Sequence, residues 1–92
     1  MKRNAYNIFN YVKRHEEDYI TASDIAEALG LTRKSVDCTI TMAFQKVGLM
    51  KREAAEIEIE REDGKIEVKP VKIIQLTDEG REYPIDEQPI ED

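Results

Sequence analysis

Apolar positions in the first half of the chain recur at helical spacing. Ala5, Ile8, Phe9 and Val12 fall at i, i+3, i+4 and i+7, one face of an amphipathic helix from Asn4 to about Glu16. Tyr6 and Tyr11 lie off that stripe, either at the rim of a core or on a surface for a second copy. Glu16-Glu17-Asp18 breaks the period. Ile25, Ala28 and Leu29 then form a second stripe, opened by Thr21 with Asp24 three residues on, the spacing of a capping box. Gly30 closes it where a left-handed residue is wanted. Thr32 caps a third helix with Val36, Ile40, Ala43, Phe44 and Val47 on its inward arc, and Gly48 stops it.

Beyond Gly48 the period changes to two. Glu56 to Glu60 and Lys65 to Lys69 both alternate strictly, with Asp63-Gly64 between them as a hairpin-turn signal. A two-residue turn pairs Glu62 with Lys65, Glu60 with Glu67, Ile59 with Val68, and Glu58 with Lys69. That register gathers Ile57, Ile59, Ile66 and Val68 on one face. Pro70 reads as an edge position, and Val71, Ile73, Ile74 and Leu76 return to the core. Thr77 caps a last short helical turn, 78–81. From Pro84 the chain is acidic, carries two prolines and has no period, so the reading is one domain over 1–83 and a mobile acidic tail over 84–92.

Thr21 to Arg52 thus predicts two helices joined by a short Gly-containing turn with a hairpin following, the helix-turn-helix arrangement. Ile25-Ala26, Leu29-Gly30-Leu31 and Val36 resemble that motif in winged-helix transcriptional regulators. Ala26 falls where that family keeps a small residue between the helices. Gly48 to Arg52 is similar to the family's exit into its wing, and Leu76 to Arg81 to the segment that often follows the wing. The resemblance covers most of residues 5 to 82. It implies an α+β fold, a three-helix winged helix-turn-helix with a β-hairpin wing, in a small prokaryotic or phage DNA-binding regulator. Val36 to Gly48 departs from the pattern in being one residue longer than the commonest version.

Charge complicates this picture. The chain of 92 residues has a net charge of −6 and is 37% charged, whereas a dedicated DNA-binding domain is usually basic. The distribution is blocky. Residues 1–15 carry Lys2, Arg3, Lys13 and Arg14 without an acid, and 32–52 carry Arg33, Lys34, Lys46, Lys51 and Arg52 against Asp37 alone. Residues 53–69 hold seven acids against three bases. If the chain binds DNA, Lys2, Arg3, Lys13, Arg14, Arg33, Lys34, Lys51 and Arg52 are expected to form one contiguous positive patch. One cysteine, Cys38, excludes an internal disulfide, and with one histidine a zinc site has too few ligands. No apolar run is long enough to span a bilayer, and no signal core follows the charged start, which points to a cytoplasmic location.

If helix 33–47 is a recognition helix, its outward arc holds Lys34, Cys38, Thr41 and Gln45, with Ser35, Asp37 and Met42 at the edges. Lys34 could then reach a guanine edge, Gln45 an adenine edge and Thr41 a thymine methyl. Thr32, Arg33 and the amides of the first turn would hold a phosphate, with Lys51 and Arg52 beside them. The wing offers Arg61 and Lys65 at its tip, flanked by carboxylates that repel a phosphate backbone. No Gly-rich phosphate loop and no nucleophile–base set is present, so no enzyme, cofactor or metal is expected. Three function classes stay open: a regulator binding double-stranded DNA, a winged-helix module binding a protein, and an acidic nucleic-acid mimic that inhibits a DNA- or RNA-binding protein. The one-faced apolar hairpin also suggests a homodimer.

Overall fold

The stripe at 5, 8, 9 and 12 forms as read. The computed structural model describes residues 1–91, and its first helix, α1 (Arg3–Arg14), buries Ala5, Ile8, Phe9 and Val12. A tight turn over Glu16–Asp18 follows, closed by Tyr19 in the left-handed region at φ 53°. Helix α2 (Ala22–Leu29) starts on a complete capping box. The Thr21 hydroxyl accepts the Asp24 amide at 3.2 Å, and the Asp24 carboxylate accepts the Thr21 amide at 2.9 Å. Gly30, at φ 68°, ends it, and the Gly30 and Leu31 amides both donate to the Ala26 carbonyl. Thr32 caps α3 (Arg33–Thr39) by accepting the Ser35 amide at 3.1 Å.

The third helix does not run regularly to residue 47. Ile40–Gln45 is wound as a π-helix, with the Lys46 amide bonding back to the Thr41 carbonyl and the Leu49 amide to that of Phe44, each five residues away. A π turn holds one more residue than an α turn. Residues after it lose their expected phase. Val36, Ile40 and Phe44 are fully buried and Ala43 is half-buried, but Val47 is 62% exposed rather than inward. Leu49 and Met50 fill the core in its place.

Strands β1 (Met50–Glu60) and β2 (Ile66–Leu76) pair antiparallel, as expected, but in a different register. The loop has three residues, Glu62-Asp63-Gly64. The Arg61 amide donates to the Lys65 carbonyl at 2.8 Å, the Gly64 amide donates to the Arg61 carbonyl at 3.0 Å, and Gly64 takes φ 80°. A turn followed by a left-handed glycine is the common three-residue hairpin. The pairing therefore slips by one: Glu60 faces Ile66, Ile59 faces Glu67, Glu58 faces Val68 and Ile57 faces Lys69. The slip removes the like-charge pair of Glu60 with Glu67 that a two-residue turn would force. Arg61 binds Glu67 instead, at 2.7 Å.

One slip moves side chains between faces. Ile57 and Ile59 lie on one face, Ile66 and Val68 on the other, so the single apolar face expected of this hairpin is absent. All four are exposed, between 38% and 65%. Only the hairpin's base reaches the core, through Met50, Ile74 and Leu76. Its outer half projects, giving a body of 50 × 26 × 20 Å with a radius of gyration of 14.5 Å. A compact chain of this length would have about 12 Å.

Helix α4 (Asp78–Glu82) starts on Thr77, which accepts the Gly80 amide at 3.1 Å and donates to the Gly48 carbonyl at 2.5 Å. Arg81 reaches back to Glu16 at 2.7 Å and to Asp78 at 2.8 Å. The Glu16 hydrogen bond, more than any other contact, raises its already high pKa.

Residues beyond Pro84 are not a free tail. Ile85 is 1% exposed within the main core, Tyr83 stacks at a tilt on Phe9, and the Glu91 amide donates to the Met1 carbonyl at 2.7 Å. Acidic, proline-bearing composition hides one apolar anchor, and that anchor docks the segment. Asp92, the last residue of the expected tail, lies outside the described residues. Ile85→Ala is expected to destabilise the fold by about 2–4 kcal/mol, read by urea unfolding. A loss below about 0.5 kcal/mol would mean that the segment does not stay docked.

The whole is an α+β fold, helices followed by a two-stranded antiparallel hairpin, a shape compatible with a winged helix.

Candidate nucleic-acid interface

The second and third helices leave the outward side of 33–47 open. Lys34, Cys38, Thr41 and Gln45 follow one another along it, all exposed, with Met42 exposed beside Cys38 and Arg33 and Thr32 exposed at the start. Ser35 is half-buried and its amide is taken by the Thr32 hydroxyl. The first-turn amides left to meet an anion are therefore those of Arg33 and Lys34.

Three of the expected contact residues bind one another. Arg52 on β1 donates from Nη1 to the Asp37 carboxylate at 3.1 Å, and from Nη2 to the Asp37 carbonyl and the Thr41 hydroxyl, both at 3.1 Å. Its side chain is 21% exposed, and Nε is buried without a partner among the described residues. Asp37 also lies 3.6 Å from Arg33 Nε. Arg52 thus acts as a stitch between the hairpin base and α3, with its charge offset by Asp37. Lys51, its neighbour on the strand, points to the opposite face and is exposed.

At the hairpin tip Arg61 is held by Glu67, while Lys65 is exposed. Glu56, Glu58 and Glu60 line one face of β1, spaced by about 7 Å. No basic tip results.

The expected single positive island divides. Lys2 and Arg3 border a hollow of about 810 Å³ with Cys38, Thr39, Met42 and Glu91. Arg14 sits near the far end of α1, about 16 Å along the helix from Arg3, beside Leu29 and Asp86.

A second basic group, not read from the sequence, lies on the other flank of α3. A groove of about 680 Å³ runs between the hairpin and the starts of α2 and α3, and Tyr19, Ser23, Arg33, Lys69 and Lys72 line it. Lys72, opposite Ala54 on β1, shares the face of Arg52, whereas Lys69, opposite Ile57, belongs to the other face, and Asp24 and Asp37 also line the groove. A signal for them existed, since 68–77 is the part of the hairpin without an acid.

Among the described residues no cluster of His, Cys, Asp and Glu could hold a metal ion, and no helix is long and apolar enough to cross a membrane. No family model, curated protein or solved structure matches this chain.

Proposed function

We propose that this chain is a winged helix-turn-helix protein that binds double-stranded DNA as a transcriptional regulator. The observation that carries the reading is α3 with the π turn after it: a capped helix, presented outward, with an exposed line of Lys34, Thr41 and Gln45 and cations on both flanks. Lys34 and Gln45 would meet base edges in the major groove. Arg33 and Lys72 on one side, and Lys2 on the other, would meet phosphates. Arg52 would act indirectly, by setting the angle between hairpin and helix. The outer hairpin would stand off the duplex, because its carboxylates oppose a phosphate backbone.

Titration of mixed-sequence duplex DNA with salt tests this. With about three phosphates contacted, affinity should fall roughly 40-fold between 50 and 200 mM salt. Lys34→Ala should relax sequence preference, losing about 1–3 kcal/mol at one base pair, while Lys72→Ala should weaken all sequences alike and flatten the slope by about one. Absence of binding at 50 mM salt, or an unchanged Lys34→Ala profile, would exclude the reading.

A further inference from the structure

A two-stranded sheet has two edges, and this hairpin treats them differently. The outer edge of β2 is covered at its base and interrupted further out. At its base the Ile74 amide donates to the Ile20 carbonyl at 2.8 Å, and Thr21 bridges to Ile73. Further out, every second amide shares the outward direction of Ile74, and Pro70 falls on that parity. Pro70 therefore removes no bond from the ladder with β1. It removes a donor from the free edge, a recognised way of protecting one.

The outer edge of β1 has no such device. By the same alternation the amides of Ala54, Glu56, Glu58 and Glu60 face away from β2. Among the described residues no backbone hydrogen bond reaches them from elsewhere in the chain. β1 also carries unlike rows on its two faces. Ala55, Ile57 and Ile59 form an apolar row on one, and Glu56, Glu58 and Glu60 a carboxylate row on the other. Ile57 is 43% and Ile59 38% exposed, and neither belongs to the core.

We propose that the outer edge of β1 over 54–60 is a strand-addition site for an extended segment of another protein that alternates Lys or Arg with Ile or Val. An added strand puts alternate side chains on opposite faces, so its apolar residues would meet Ile57 and Ile59 and its basic ones Glu56, Glu58 and Glu60. A second copy of this chain does not fit. Antiparallel pairing of two β1 strands about Ile57 sets Glu56 of one directly against Glu58 of the other, and like charges so placed destabilise. Pairing through β2 meets Pro70. The inference is independent of DNA binding, which uses α3.

The test is titration, by calorimetry, with a synthetic peptide of about seven residues alternating lysine with valine and isoleucine. A control peptide has the same composition with its lysines grouped. Glu58→Pro removes one outward amide at a site equivalent to that of Pro70, so the hairpin ladder is kept. Glu58→Gln removes only the charge. Circular dichroism melting of both variants is expected to match the wild type. The alternating peptide should bind the wild type at least about tenfold more tightly than the grouped one, and Glu58→Pro should lose about tenfold more than Glu58→Gln. Equal binding of the two peptides would show charge attraction alone and overturn the proposal. So would equal affinities of the two variants, or no binding by the wild type. Sedimentation showing a wild-type dimer that Glu58→Pro dissolves would assign the edge to a second copy instead, and would equally overturn it.

Discussion

Phe44→Ala is expected to destabilise the protein by about 3–5 kcal/mol. The ring is fully buried and meets Phe9 with centroids 5.3 Å apart at 58°. Phe9 in turn meets Tyr83 at 5.7 Å and 54°. These tilted pairs add to the area each ring buries. They also join three parts of the chain: α1, the π turn and the segment after α4. Truncation leaves a cavity beside the Phe9 ring, which α1 holds in place, so collapse around it is limited. For a domain of this size each kcal/mol moves the melting temperature by about 4–8 °C, so a fall of roughly 15–30 °C is expected by circular dichroism. A fall under about 5 °C would show that the three parts do not share one core.

Gly80→Ala is expected to destabilise by about 3 kcal/mol, with the sign opposite to the usual one. Inside an exposed helix this change stabilises by up to about 1 kcal/mol. Here an added Cβ would lie 2.0 Å from the Leu49 carbonyl oxygen and 3.1 Å from its carbon. Both are backbone atoms, so no rotamer relieves the clash. The same carbonyl accepts the Thr77 amide at 3.1 Å, which holds α4 against the exit from the π turn. α4 must therefore lift away, and chemical-shift changes in NMR spectra should centre on residues 48–50 and 76–81. Stability within about 0.5 kcal/mol of wild type would show that α4 does not pack this closely.

Local signals were legible wherever one residue decides a conformation. The hydroxyls of Thr21, Thr32 and Thr77 cap the helices they were read to cap, and Gly30 takes the left-handed turn read for it. Phase was less legible. Asp63-Gly64 suits both a two-residue and a three-residue loop, and only pairing preferences further down the strands choose between them. That single residue decided which face each isoleucine occupies. Likewise 33–47 reads as one regular helix, whereas the π winding at 40–45 goes with the way Phe44 and Leu49 seat in the core. The candidate site was legible along α3 and not beside it. Thr41 falls on the outward arc by spacing, Asp37 at its edge and Arg52 among the basic residues after it, whereas their mutual binding follows from β1 running back past α3. Lys72 joins Arg33 only because the hairpin base is held there. The Ile85 anchor was masked by acids and prolines around it.

The projecting hairpin has a consequence for motion. Every residue over 56–70 is exposed, and an isolated two-stranded ribbon is marginally stable in water. Its tip can therefore fray while the three helices stay shut, as a local opening far less costly than global unfolding. Hydrogen exchange would see this directly: amides at Ile57 and Ile59 should swap for deuterium long before those of α1, and a strand captured along the free border would slow Glu56 and Glu58 as well, two amides that otherwise face water.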